Sequence, residues 1–144
     1  MKYTLLCLFA FSLLLETSCQ KILQAPPQPP LIGVFSGQFL FVHRRLTVLP
    51  YDTVKANVVL TLQGTPSNTF AVTGDTTQHA GSHGSFTLFS GVIFFNDVTY
   101  PQNGTKPAKL HLSGSYEYYY DGTNLQMLGA SADTAVFEYV LKKN

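Results

Sequence analysis

Imidazole side chains are the best candidates for metal binding in this chain of 144 residues. His79 and His83 are four positions apart, and His43 lies, like them, beside a predicted long loop. Two imidazoles at this spacing share a metal ion when they lie on one helical turn. Gly81 and Gly84 argue against a helix there, and solvated loop histidines are the simpler interpretation. The sequence therefore predicts no metal site, with a weak transition-metal site at His43, His79 and His83 as the alternative.

The groups that catalysis needs are sparse in this sequence. The carboxylates are few and scattered, and both Glu117 and Glu138 fall on predicted strands. The stretch Gly81 to Ser85 lacks the order of a Gly-x-Ser-x-Gly nucleophile motif. His111 is expected to face outward beside Ser113, with no special role. We therefore expect a protein that is not an enzyme and that needs no cofactor.

Three Asp-Thr pairs, followed by Val, Thr or Ala, lie in predicted loops. The pattern resembles the acceptor for O-glycosylation on exported proteins of some Gram-negative bacteria, with Thr53, Thr76 and Thr134 as the acceptors. Asp-Thr is also common in turns, where the carboxylate bonds nearby backbone amides. Both interpretations stay open.

Composition and charge narrow the class of protein. Nine Lys and Arg residues against eight Asp and Glu leave a net charge of +1, with no basic surplus to neutralise phosphates, so no nucleic-acid partner is expected. The content of 45% hydrophobic and 13% aromatic residues favours a packed core, and the length favours one domain. The two cysteines, Cys7 and Cys19, cannot build a disulfide framework or a cysteine-rich zinc site.

Residues Met1 to Ser18 are predicted to be a removable secretory signal. Lys2 supplies the positive start, and the apolar run from Leu5 to Leu15 follows it. A run of about eleven residues is too short to span a bilayer, which needs about twenty helical residues. This segment is therefore excluded from the predicted fold.

The signal ends in Glu16-Thr17-Ser18-Cys19, which resembles the lipobox of Gram-negative lipoproteins, although Glu16 stands where the strict form has Leu. The resemblance implies that Cys19 is diacylated and becomes the new N-terminus; ordinary cleavage, or a plain buried thiol at Cys19, is the alternative. Two acyl chains anchor a small domain stably in a membrane. Gln20 follows the cysteine, where an Asp would retain some lipoproteins in the inner membrane, and no acidic export-like cluster follows it. We expect the periplasmic side of the outer membrane rather than the cell surface.

Residues 19–30 are predicted to be a tether. They contain Pro26-Pro27-Gln28-Pro29-Pro30, which cannot join a helix or a central strand and favours extended polyproline II. Such a segment is a stiff spacer. Residues 31–144 then form the predicted barrel domain.

From Leu31 onward, apolar and polar residues alternate in short segments separated by turn residues. The predicted strands are Gly33 to His43, one around Val54 to Leu62, one around Phe70 and Val72, Ser85 to Ser90, Val92 to Val98, Lys109 to Tyr120, Thr123 to Gly129, and Ala135 to Lys142. Eight sequential strands without crossovers predict an all-β, antiparallel up-and-down barrel, because closure removes the edge strands. A two-sheet sandwich is the alternative.

The lengths of the connections predict two different ends. The short second, fourth and sixth connections are Gly64 to Ser67, Ser90-Gly91 and Asp121-Gly122. The long first, third and fifth connections are Arg44 to Thr53, Asp75 to Gly84 and Asn96 to Ala108. In an up-and-down barrel these two sets fall at opposite ends, so we expect a closed bottom and a mouth with long loops, where binding residues concentrate.

The start Gly33-Val34-Phe35-Ser36-Gly37 is similar to the Gly-x-Trp start of lipocalins and avidins, with Phe35 in the Trp position. Gly114 to Leu125 and Tyr139 to Lys143 resemble the end of small lipocalin-like lipoproteins of Gram-negative bacteria. The resemblance implies an eight-stranded barrel and the binding or carriage of a small apolar ligand in its interior or mouth. The chain has no Trp, so the indole-lined biotin site of an avidin is excluded.

The expected ligand-lining side chains are Phe35, Phe39, Tyr116, Tyr118, Phe137 and Tyr139. Core filling is the alternative for Tyr116 and Tyr118, whereas Tyr119 should look outward. The other function class is a protein-interaction module, such as an inhibitor or an accessory subunit of an envelope complex, acting through the loops Arg44 to Asp52 and Asp97 to Lys109. A cavity of a few hundred Å³ favours carriage, and an interior filled by aromatic side chains favours contact through the loops. The expected partners are the membrane, through the lipid, and either a small apolar ligand or an envelope protein.

Overall fold

The computed structural model describes residues 29–43, 52–104, 107–131 and 135–144. The predicted signal, Cys19, most of the tether, most of the first loop and Thr134 lie outside the described residues.

Eight strands form a closed antiparallel barrel in chain order. They are β1 (Gly33–His43), β2 (Asp52–Gln63), β3 (Thr69–Gly74), β4 (His83–Phe89), β5 (Val92–Asp97), β6 (Gly114–Tyr120), β7 (Asn124–Ala130) and β8 (Ala135–Lys143). The barrel closes because β8 pairs with β1, with Phe39 opposite Tyr139. The part of the chain that the structure describes contains no helix. The predicted all-β up-and-down barrel is confirmed, and the sandwich alternative is wrong.

The alternation along β2 shows why this sequence forms a barrel wall. Successive side chains of a strand point to opposite faces of the sheet. Four alternate apolar residues of β2 are therefore inside, namely Ala56, Val58, Leu60 and Leu62. Lys55 and Asn57, on the opposite face, are exposed. A slip of one residue would exchange the two faces, so the apolar pattern determines the register.

The two ends of the barrel differ as the connections predict. The turns 64–68, 90–91 and 121–123 lie at the end that we call the closed end. The third loop (residues 75–82) and the described residues of the fifth loop (98–104 and 107–113) lie at the opposite, open end, where β1 also ends and β2 begins. Long and short connections are therefore sorted between the two ends.

The described chain enters at the closed end. Pro29 Cγ lies 3.6 Å from the position that a Cβ on Gly122 would occupy, and Ile32 Cγ2 lies 3.1 Å from that of Gly64. Leu31, between them, is buried in the core. Residues 29–32 therefore cross the closed end from one turn to another and cover it.

The sixth strand is shorter than predicted. It was expected from Lys109, but β6 begins at Gly114, whose φ of +88° is a conformation that residues with a side chain rarely adopt. Residues before Gly114 pair with the third loop instead. Leu110 N–H donates to Gln78 O at 3.0 Å, and Ala80 N–H donates to Leu110 O at 2.7 Å. The predicted alternation continues through this segment because Leu110 and Leu112 also pack inward, but as part of a loop.

Candidate functional site

Four of the six predicted ligand-lining residues belong to the packed core. Phe35, Phe39 and Tyr139 have 0% exposed surface, and Tyr116 has 3%. Tyr118 and Phe137 are partly buried and pack against the same core. A cavity large enough for a ligand would leave accessible surface on the side chains around it. The aromatic side chains thus fill the middle of the barrel themselves.

Aromatic rings contact each other across the interior. The ring centroids of Phe39 and Tyr139 are 4.8 Å apart, and those of Tyr139 and Tyr116 are 5.7 Å apart. Phe95 continues the series at 5.9 Å from Tyr116 and 4.9 Å from Phe70. Most of these contacts are edge-to-face, which is the favoured geometry for aromatic pairs. Core filling, the alternative for Tyr116, is the arrangement that the structure has.

A groove of about 410 Å³ lies on the outer surface of the barrel. It runs over β1, β7 and β8 and is lined by Ser36, Gly37, Gln38, Asn124, Gln126, Val140, Leu141 and Lys142. None of the predicted ligand-lining side chains contributes to it. Polar side chains and apolar surface both line this groove, and it is separated from the interior by the barrel wall.

The third loop covers part of the open end and places His79 inside the barrel. His79 is buried, and its ring centroid lies 4.8 Å from that of Phe39 in an edge-to-face contact. The two backbone hydrogen bonds to Leu110 join the third loop to the fifth loop. We call this joined pair of loops, residues 75–82 and 98–113, the cap.

A directed chain of hydrogen bonds connects the cap to the barrel wall. His79 Nδ1 lies 2.7 Å from Ala80 O, and a carbonyl oxygen only accepts, so Nδ1 carries the proton. His79 Nε2 therefore accepts from the Tyr139 hydroxyl at 2.8 Å. The hydroxyl of Tyr139 also interacts with that of Tyr116. Three side chains from the third loop, β6 and β8 are thus linked.

Burial keeps this network neutral. Desolvation lowers the pKa of His79, because the charged imidazolium is disfavoured away from water. Desolvation also raises the pKa of Tyr116 to about 12 and raises the pKa of Tyr139 well above its ordinary value. A neutral His79 is the form that can accept a hydrogen bond at Nε2, so the pKa directions agree with the hydrogen-bond directions.

A buried carboxylate anchors the fifth loop. The Asp97 side chain has no exposed surface, and its Oδ2 accepts from His111 Nδ1 at 2.7 Å. Asp97 Oδ1 accepts from the backbone and the hydroxyl of Thr99, at 2.8 and 2.5 Å. The Tyr100 ring packs edge-to-face on His111 at 5.4 Å. Both oxygens of the buried carboxylate are thereby hydrogen-bonded, as a buried charge requires.

The expectation that His111 faces outward is wrong. His111 precedes Gly114 and belongs to the fifth loop rather than to a strand, so the alternation does not determine its direction. Asp97 followed by Thr99 is typical of a turn in which a carboxylate bonds the backbone two residues on. That signal was present in the sequence, whereas the partner, fourteen positions away, has no local signal.

The three histidines of the alternative metal site lie in different surroundings. His79 is inside the barrel with both ring nitrogens in hydrogen bonds, and His83 is exposed at the start of β4. His43, at the end of β1, stacks on Phe41 with ring centroids 6.3 Å apart. Among the residues that the structure describes, no group of three or more His, Cys, Asp or Glu side chains could hold a metal ion. Binding a metal at His79 would require breaking one of its two hydrogen bonds.

Two of the three candidate glycosylation acceptors are accessible. Thr53 and Thr76 are exposed, and Thr134 lies outside the described residues. Asp75 Oδ1 accepts from the Thr77 backbone N–H at 2.9 Å. This hydrogen bond is the largest reason that the pKa of Asp75 lies below its ordinary value. The turn geometry and an accessible hydroxyl therefore occur together at Asp75-Thr76.

The other half of the open end carries a second aromatic group. The rings of Phe41 and Phe137 are 5.2 Å apart, and both are only partly buried. His43 stacks on Phe41 with an interplanar angle of 2°. We call these three side chains the mouth cluster. Phe41 and Phe137 pack against the core and keep part of their surface exposed.

The fifth loop exposes apolar side chains on a backbone that hydrogen bonds fix in place. Val98 is 61% exposed, and Tyr100 is exposed beside it. Val98 N–H donates to His83 O at 3.1 Å, and the Gln102 amide donates to Tyr100 O at 3.0 Å. These contacts hold the apolar side chains of the loop in place on the scaffold.

Comparison with protein-family models, with curated proteins and with solved structures finds no match to this chain. The described part of the chain contains no helix with the length and apolar character needed to cross a membrane.

Proposed function

We propose that this protein is an exported, lipid-anchored barrel that binds another envelope protein through the loops of its open end. The single observation that carries the proposal is the filled interior, because a barrel occupied by its own aromatic rings leaves its outer surfaces for binding. The sequence ending in Cys19 supports the anchor, and the eight-stranded barrel is compatible with a lipocalin-like lipoprotein. We propose no catalytic role and no cofactor.

The cap supports protein binding because its conformation is already set. The third and fifth loops are joined by backbone hydrogen bonds, and Asp97 and His79 connect them to the barrel. Loops that are ordered before binding lose little conformational entropy when a partner docks. Exposed Tyr100 supplies an aromatic contact, the type of side chain that dominates interface energies, and exposed Val98 adds apolar area beside it.

The direction of the chain supports the same assignment. Residues 29–32 enter at the closed end, so an anchor at Cys19 would attach the barrel by that end. The open end would then point away from the membrane surface, towards other proteins. We propose the periplasmic side of the outer membrane as its location, from the residues that follow Cys19.

Site-specific photo-crosslinking in intact cells tests this function. A photoreactive amino acid replaces Val98 or Tyr100 in the fifth loop, and a matched control replaces Tyr119, which is 62% exposed on the outer wall. We expect one discrete protein adduct from both loop positions and none from the control. Adducts of equal yield at all three positions, or at none, would contradict binding through the cap.

A second candidate function is supported by the mouth cluster. Phe41 and Phe137 are partly exposed aromatic side chains at the open end, and a small apolar ligand could lie on them. Native mass spectrometry of the purified protein tests this alternative. A bound small molecule of defined mass that is lost in Phe137→Ser would favour ligand binding over protein binding.

The anchor and the modification are tested on the same purified protein. Its mass should exceed that of the polypeptide from Cys19 by the acyl chains, and Cys19→Ala should remove both the lipid and the membrane association.

Any further mass that disappears in Thr76→Ala would identify an O-linked glycan. A mass equal to polypeptide plus acyl chains would exclude the glycan, and protease treatment of intact cells would show which side of the outer membrane is occupied.

A further inference from the structure

The closed end of the barrel carries a protruding aromatic side chain. Phe89, at the end of β4, is 80% exposed, the highest value among the large apolar side chains in the described ranges. Leu88, Ile32 and Val34 are also exposed, and all three belong to strands or segments that reach the closed end. Exposed apolar side chains that gather at one end of a domain make that end a candidate contact surface.

The turn that presents Phe89 is held in place. Phe89 pairs with Val92 across the two-residue turn Ser90-Gly91. Tyr118 N–H donates to Gly91 O at 2.9 Å, which joins the turn to the neighbouring strand β6. Ser90 and Gly91 both have positive φ, at 44° and 82°, as a tight hairpin turn requires. Phe89 therefore projects from a fixed hairpin into solvent.

The anchor of the proposed function would attach to the same end. Pro29 lies against Gly122 in the closed-end turn 121–123. Cys19 precedes Pro29 by about ten residues, and a chain of that length spans at most about 35 Å when fully extended. If Cys19 carries the lipid, the closed end is the part of the barrel nearest the bilayer.

We propose that the closed end rests on the lipid bilayer and that Phe89 inserts into its interfacial region. This inference rests on the proposed lipid anchor. Aromatic side chains are favoured at the boundary between headgroups and acyl chains. Burying one Phe side chain changes a partition constant by about tenfold to a hundredfold. That gain is too small to anchor a protein alone, but it is enough to orient one that is already held at the surface.

The charges at this end indicate an apolar contact rather than an ionic one. Among the described residues, Lys142 and Lys143 lie at this end of β8, Asp121 lies in the turn 121–123, and exposed Glu117 pairs with Val92 beside the turn 90–91. Two cations against two anions give no net attraction for anionic headgroups. Insertion of Phe89 should therefore change little with salt concentration, unlike the binding of a basic surface.

Tryptophan fluorescence tests the proposal, because the chain contains no Trp. Phe89→Trp introduces one reporter at the closed end, and Val98→Trp introduces a matched reporter at the open end, where Val98 is 61% exposed. Both proteins are purified with their native N-terminus and combined with vesicles of phosphatidylethanolamine and phosphatidylglycerol. Emission wavelength and quenching by aqueous acrylamide are measured with and without lipid, at low and high salt.

We expect a blue shift and a several-fold fall in acrylamide quenching for Phe89→Trp on vesicles, at both salt concentrations, and no change for Val98→Trp. Equal behaviour of the two variants would overturn the proposal. A shift of Phe89→Trp in whole envelopes but not on protein-free vesicles would also overturn it, because the occupant would then be a protein.

The anchor and the insertion can fail separately. The mass of each protein reports the acyl chains on Cys19, whereas the emission reports the surroundings of position 89. If the mass shows no lipid, each protein is held on vesicles by an N-terminal histidine tag and nickel-chelating lipids, and the tryptophan of Phe89→Trp should still shift. Absence of a shift under that condition overturns the insertion of Phe89 whatever the state of Cys19.

Discussion

Replacing Tyr139 by Phe removes one oxygen from the centre of the hydrogen-bond chain and changes nothing else in shape. The Tyr139 side chain is fully buried, so no water can replace the lost hydroxyl. Its proton is donated to His79 Nε2 at 2.8 Å, and its hydroxyl also interacts with that of Tyr116. The variant therefore tests whether these contacts stabilise the folded barrel, separately from the packing of the ring.

The expected loss follows from the two partners that remain. A typical hydrogen bond contributes about 1 kcal/mol net, and a buried polar group left without a partner costs about 1–3 kcal/mol. Tyr139→Phe leaves His79 Nε2 without a donor and removes the hydroxyl with which Tyr116 interacts. We expect the free energy of unfolding to fall by roughly 1–3 kcal/mol, and the urea midpoint to fall by roughly 0.5–2 M.

Urea unfolding followed by circular dichroism measures this loss at neutral pH. Tyr119→Phe is the matched control, because Tyr119 is 62% exposed and its substitution should change stability by less than about 0.5 kcal/mol. Tyr116→Phe should cost less in the Tyr139→Phe background than alone, since the two hydroxyls interact and the second loss removes no further contact between them. A Tyr139→Phe variant as stable as the Tyr119→Phe control would refute the hydrogen-bond chain.

Three further predictions concern the same interior. Burial lowers the pKa of His79 below 6.5, so at lower pH the unfolded chain binds more protons than the folded one. The free energy of unfolding should therefore decrease as the pH is lowered, by up to about 1.4 kcal/mol per pH unit between about pH 6.5 and the lowered pKa. Urea midpoints between about pH 7.5 and 5.5 measure this slope, and an equal slope in His79→Gln would assign it to other groups. Gly129→Ala places a methyl group 2.7 Å from Tyr116 Cε1. This overpacking should destabilise the protein by about 1–3 kcal/mol and lower its Tm. An unchanged Tm would contradict the close packing. His111→Ala leaves the buried Asp97 carboxylate without its imidazole, with an expected loss of roughly 2–4 kcal/mol in chemical unfolding. The double variant of His111→Ala with Asp97→Ala should lose less stability than the sum of the two single losses. Additive losses would show that the two side chains do not interact.

Local alternation was sufficient to predict the barrel wall. Every second residue of β2 is apolar, and the same pattern predicted that Tyr116, Tyr118 and Tyr120 share one face while Tyr119 points outward. This works because the period of a strand is a local property of the backbone. The difference between the two ends was also predictable, since the turn residues and the lengths of the connections are visible in the sequence.

The cap was beyond sequence reasoning because its contacts join distant parts of the chain. His79 meets Tyr139 sixty positions away, and nothing near either residue marks the other as its partner. The alternation around Leu110 and Leu112 resembles that of a strand, and only the positive φ at Gly114 and the pairing with Gln78 show that the segment is a loop. The same limit applied to the interior, since the six expected ligand-lining residues were on the correct face but the space between them is filled.

The pairing of β1 with β8 joins segments at opposite ends of the described domain, and the hydrogen bond from Ser36 to Asn144 spans 108 positions. The barrel forms its last row of interstrand hydrogen bonds only when this seam, the pairing of β8 with β1, closes. Until nearly the whole domain has been synthesised, β1 therefore pairs with β2 alone. Folding should therefore be slow and cooperative for a chain of this size, because the longest loop must be closed before the final pairing stabilises it. Any factor that delays the seam leaves two open strand edges exposed to other chains, which makes its closure the step at which this protein is most prone to aggregate.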